Sequence, residues 1–151
     1  MKLILALAGV FVLLRLHAKL ERQLLARRTL HAIVSPLFSY LGLLDHELQN
    51  ETLQANRLVT QAVLDHVTEL RAFLLQPQSR DLSLWGTWDW IPRLNHILLS
   101  LEESLESSLE DGLDDRLIEI KEQVAHLSGF MKDKPVLRKL ALNPPGVVSQ
   151  I

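Results

Sequence analysis

Apolar residues in this chain fall into one unbroken run followed by a series of periodic stripes. Leu3 to Leu14 is a stretch of 12 residues without charge. From Leu30 onward the apolar positions are Leu30, Val34, Leu37, Leu41, Leu44 and Leu48. Their steps alternate between four and three, which is the spacing of a helical heptad seam. Gln23 and Arg27 hold the same phase upstream, so the seam begins at Leu30. Pro36 lies off the seam, where it removes one backbone hydrogen bond and predicts a local bend. The polar stretch Gln49 to Gln54 predicts a turn. A second stripe follows at Val59, Val63, Val67, Leu70 and Leu74, and Pro77 ends it. Gln76 to Trp90 reads as a loop, with Trp85, Trp88 and Trp90 clustered around Gly86. Pro92 suits the first turn of a third helix, whose face is Leu94, Leu98, Leu101, Leu105 and Leu109. Asp111-Gly112 predicts a break. The fourth stripe is Leu113, Leu117, Ile120, Val124 and Leu127, closed by Gly129 and Pro135. Val136 to Leu142 adds a short helical turn, and Asn143 to Gly146 an extended tail.

A helix with one apolar stripe needs a partner to cover it, and short links make sequential helices antiparallel. The pattern therefore predicts an all-α chain: an N-terminal membrane-anchor helix continuing into an antiparallel four-helix bundle. The expected divisions are an anchor with a basic neck over residues 1–20, the bundle over 21–134, and a short helix and tail over 135–151. Six glycines and six prolines in 151 residues, mostly between the stripes, agree with helices rather than sheet.

Charge adds location to this architecture. Arg15, Lys19, Arg22, Arg27 and Arg28 follow the apolar run, with Glu21 as the one acid among them. As a helix, the 12 uncharged residues cover about 18 Å, short of the roughly 20 residues of a full span. Leu16, Ala18 and Leu20 extend the apolar face, and Arg15 and Lys19 can snorkel to headgroups. Two other readings exist. A cleaved signal would need a basic leader and a small-residue cleavage site, and Leu16-His17-Ala18 is a poor one. A core helix would need the run buried. For an anchor, the positive-inside rule places the body on the cytoplasmic side. The net charge of −2 gives no support to nucleic-acid binding. Nine acids between Glu102 and Glu122 form an acidic flank. The absence of cysteine excludes disulfides, thiolate metal sites and cysteine nucleophiles.

One string carries a hint of chemistry. His31 is followed by Ser35, Pro36 and Leu37, and then by Leu41-Gly42. This resembles the phospho-acceptor box of sensor histidine kinases, where a helical His precedes a small polar residue, Pro and Leu. The resemblance covers about a third of the chain, from Leu20 to Leu75, and implies a dimerisation hairpin with His31 as phosphoryl acceptor. His31 flanks the seam, where an acceptor is reachable. The chain departs from the family at Ala32, which stands where the family has its assisting acid, and no glycine-rich ATP-binding domain follows. The resemblance therefore implies phosphotransfer from another kinase, or dimerisation alone, but no autokinase activity.

Other candidates are weaker. Asp45-His46 and Asp65-His66 have the types of metal ligands, yet in a hairpin turning near Glu51 they sit about 14 Å apart along the helices. Glu102, Glu103, Glu106 and Glu110 form an i, i+4 cluster that calls for a basic neighbour. Asn50-Glu51-Thr52 is a glycosylation sequon, relevant only to an exported body. No phosphate loop or nucleophile elbow is present, and neither a cofactor nor a metal is expected. Three functions follow. The first is a membrane-anchored, non-catalytic scaffold or accessory subunit that binds a protein partner or itself, with Trp85, Trp88 and Trp90 as docking residues. The second is a phosphotransfer or dimerisation module built on His31. The third is an exported helical domain after signal cleavage.

Overall fold

The computed structural model describes residues 1–49, 57–83, 88–111 and 117–142. It consists of α1 (Lys2–Gln49), α2 (Arg57–Leu75), a 3-10 helix (Pro77–Leu82), α3 (Ile91–Asp111), α4 (Leu117–Asp133) and α5 (Pro135–Leu142). No strand occurs among the described residues. The expected turn at residues 50–54, the Asn50 sequon, Trp85, Gly112 and the tail from Asn143 lie outside them.

Residues 1–22 are all exposed, and the first buried side chain along α1 is Ala26. Beyond it the helix enters the core without a break. Leu30, Val34, Leu37, Leu41 and Leu44 are buried, as their spacing requires. Ile33 and Ala26 join them, which widens the two-position seam into the broader stripe of a helix with several neighbours. Pro36 is accommodated inside α1. Its ring leaves the carbonyl of Ala32 without the usual i+4 amide, and Ala32 is exposed, so that acceptor is open to solvent.

The core is completed by Val63, Val67, Leu70 and Phe73 of α2, Leu94, Leu98, Leu101 and Leu105 of α3, and Ile120, Val124, Leu127 and Phe130 of α4. Helix α1 packs on α2, α2 on α3, α3 on α4, and α4 back on α1. Three side-chain pairs mark the register. The Tyr40 and His66 rings stack at 5.6 Å between α1 and α2. Arg71 pairs with Glu102 between α2 and α3. Ser104 Oγ donates to Glu119 Oε1 at 3.2 Å between α3 and α4.

Two segments differ from the sequence expectation. The stretch after Gln76 contains a 3-10 helix rather than only loop, because Leu82 inserts into the core at 1% exposure and Ser79 is buried beside it. Ser79 Oγ lies 3.0 Å from the Leu74 carbonyl and 2.8 Å from that of Gln76, so its hydroxyl serves the otherwise open C-terminus of α2. Gly129 does not close α4. The helix runs through it to Asp133, because Phe130 and Met131 carry the buried stripe one turn further. Pro135 then starts α5 rather than ending α4, as suits a residue with no amide hydrogen to offer.

Candidate functional site

The end of the body from which the exposed part of α1 emerges is assembled from four separate segments. Gln23 Nε2 and Arg27 Nε of α1 both donate to the carbonyl of Leu82, at 3.3 and 3.2 Å. These two polar residues continue the phase of the seam, and they cap the last carbonyl of the 3-10 helix where an apolar pair would leave it open. They also fix where the body begins along α1. Helix α5 packs on α1 as well, with Leu137 buried.

Trp88 lines a cleft of about 360 Å³ together with Pro77, Ser79 and Arg80 of the 3-10 helix and Pro92 of α3. Its ring stacks on Trp90 at 5.0 Å with an interplanar angle of 15°. Trp90 meets Phe130 of α4 edge-on at 5.9 Å. Both indoles are half-buried, with part of each packed against the core. Lys134 Nζ lies 5.4 Å from the Phe130 ring centre and 6.0 Å from that of Trp90. The Arg93 guanidinium lies 5.9 Å from the same Phe130 ring. A cation over an aromatic face is held by the ring quadrupole while its remaining hydrogens point outward. Arg93, Phe130 and Lys134 also line an open groove of about 310 Å³ with His126, Gly129 and Asp133. The chemistry on offer is two fixed cations on an aromatic floor, suited to an anionic group.

Of the residues singled out in the sequence, Trp88 and Trp90 belong to this end. His31 is half-buried on α1, between the buried Leu30 and Ile33. Ala32 beside it is exposed and brings no carboxylate to the imidazole. His66 faces Tyr40 and has Glu69 at 3.6 Å. Among the described residues no group of three or more His, Asp or Glu side chains is placed to hold a metal ion. In the glutamate cluster Glu102 has its basic partner in Arg71. Sequence reading missed Arg93, Phe130 and Lys134. Phe130 and Lys134 lie some 40 residues from the tryptophans, and no local pattern marks a contact of that range. No family model, curated protein or solved structure matches the chain.

Proposed function

We propose that this chain is a membrane-anchored, non-catalytic helical scaffold, which holds an antiparallel four-helix bundle at the cytoplasmic surface of a membrane for a protein partner. The observation that carries the reading is the exposure of the N-terminal half of α1. By length and composition α1 is able to cross a membrane, and no residue of its apolar 18-residue window is buried. The large side chains from Leu3 to Leu14 are each more than half exposed. Covering a Leu, Val, Ile or Phe side chain is worth about 1.5–3 kcal/mol. Nine such side chains amount to something of order 10–25 kcal/mol, which exceeds the roughly 5–15 kcal/mol by which a whole domain is stable. Water is a poor environment for that surface, and the core of this chain does not take it. The alternative of a buried first helix has no support in this arrangement.

The cyclic contacts from α1 through α4 and back support a bundle, and the basic neck supports a cytoplasmic body. Membrane fractionation tests the reading. Full-length protein is expected to pellet with membranes, to resist carbonate, and to retain Met1 by mass spectrometry. A chain beginning at Lys19 is expected in the supernatant. Recovery of full-length protein in the supernatant, or of a mature chain lacking the apolar run, removes the anchor. Cross-linking in intact membranes identifies the partner.

A further inference from the structure

The anchor-proximal end of the body differs from the rest in charge. The segments that build it are 22–28, 76–83, 88–93 and 130–142, and they hold nine basic residues against three acidic ones. The remainder of the chain beyond residue 28 holds four basic and fourteen acidic residues. A body with a net charge of about +6 at one end and −10 elsewhere is oriented by any charged surface. Trp88 and Trp90 lie within the same basic segments.

Position along α1 decides what this end meets. From Leu20, the last apolar residue of the run, to Gln23, where the body begins, the helix rises about 5 Å. From Leu14, the last residue of the uncharged stretch, it rises about 14 Å. The headgroup layer on each side of a bilayer is about 5–8 Å thick, and surface potential reaches roughly a Debye length of 8–10 Å further. The end carrying Trp88, Trp90, Arg93 and Lys134 therefore lies within the headgroup layer or its field.

We infer that this end is a lipid-binding face that takes the phosphates of anionic phospholipids. The inference rests on the anchor reading above. Arg93 and Lys134 hold a phosphate at the rim of the Phe130 groove. The exposed Arg28, Arg138 and Lys139 supply further contacts to neighbouring headgroups. The stacked indoles occupy the interfacial depth that their apolar body and N–H favour. The acids at this end are Asp81, Asp89 and Asp133, too few to neutralise it. An acidic protein is the other partner such a face would suit, but its distance from the anchor favours lipid, which is present at that height in every copy.

The test uses the full-length protein reconstituted into vesicles of phosphatidylcholine alone or mixed with phosphatidylglycerol. In a full-length Trp85→Phe chain the remaining tryptophans are Trp88 and Trp90, so intrinsic fluorescence reports on this end of the body alone. Co-flotation with both kinds of vesicle reports the anchor. Acrylamide is expected to quench the tryptophans less in the anionic vesicles than in the neutral ones, and high salt is expected to remove the difference. Arg93→Glu and Lys134→Glu are each expected to weaken engagement by at least about fivefold, since the basic residue lost is itself worth about 1 kcal/mol near an anionic surface. The pair Arg138→Glu and Lys139→Glu, on exposed positions of α5, gives the same test where the groove variants misfold by circular dichroism. Flotation with equal quenching in both vesicles, unchanged by charge reversal, overturns the inference and leaves the anchor standing. Shielding reproduced by inorganic phosphate in neutral vesicles also overturns it, in favour of a free-anion site. Failure to float removes both.

Discussion

Leu41 and Leu43 stand two positions apart on α1 and have opposite surroundings, at 2% and 50% exposure. Truncating the first leaves a cavity among the helices, and truncating the second removes contacts with water. Leu41→Ala is expected to lower the unfolding free energy by about 2–5 kcal/mol, and Leu43→Ala by less than about 0.5 kcal/mol. Denaturant titration of the two variants measures both. A scaffold has no need of a phosphorylated histidine, so a kinase or receiver mixture is expected to leave His31 unlabelled. An acid-labile, alkali-stable label lost in His31→Gln would put phosphotransfer in its place. At this scale the sequence is legible wherever apolar residues repeat with helical period. It is not legible at Thr60, Ser104 and Ser108, which are buried at 0–3% exposure. Small polar residues fit between close helices when a neighbour takes the hydroxyl, as the Leu105 carbonyl does for Ser108 at 2.7 Å. Hydropathy alone assigns such positions to the surface.

Among the elements, α4 offers the simplest test. Gly129 sits inside the helix, and a Cβ built there meets nothing within 4 Å. Gly129→Ala removes the entropic cost of a helical glycine without a clash, so it is expected to stabilise the protein by about 0.5–1 kcal/mol. Thermal unfolding checks the sign. Between elements, the Arg71–Glu102 pair ties α2 to α3 with side chains 25% and 14% exposed. A double-mutant cycle through Arg71→Ala and Glu102→Ala is expected to return a coupling of about 1 kcal/mol, the upper end for partly solvated pairs. The four long helices were readable because each repeats its apolar residues over several turns. The 3-10 helix was not, since Pro77–Leu82 is too short to show a period and is held by Leu82, Ser79 and donors 55–59 residues away. The aromatic and basic end was half readable. Three tryptophans in six residues mark a special stretch, but its floor is Phe130 of α4 and its cations are Arg93 of α3 and Lys134 between α4 and α5.

At the scale of the whole molecule, the basic residues that follow the apolar run predict its orientation. A reporter fused after Ile151 is expected to behave as cytoplasmic, and Asn50 to stay unglycosylated in a eukaryotic host. A glycan on Asn50 would reverse the topology. The apolar run was the most legible feature of the chain, because no partner residue is needed to define it. What covers it is not written in the sequence, and the exposure of residues 1–22 narrows the choice. The unbroken course of α1 has a mechanical consequence. One helix serves both the apolar run and the core, so no hinge separates them. The 26 residues from Leu24 to Gln49 extend about 39 Å past the start of the body. The inclination of a membrane-anchored helix is set by its interfacial anchors and its packing neighbours. Each 10° of tilt would swing the distal end of this one by roughly 7 Å. On the anchor reading the body would then be a pointer fixed to its axle, turning a change in the inclination of the apolar run into sideways displacement of its distal end.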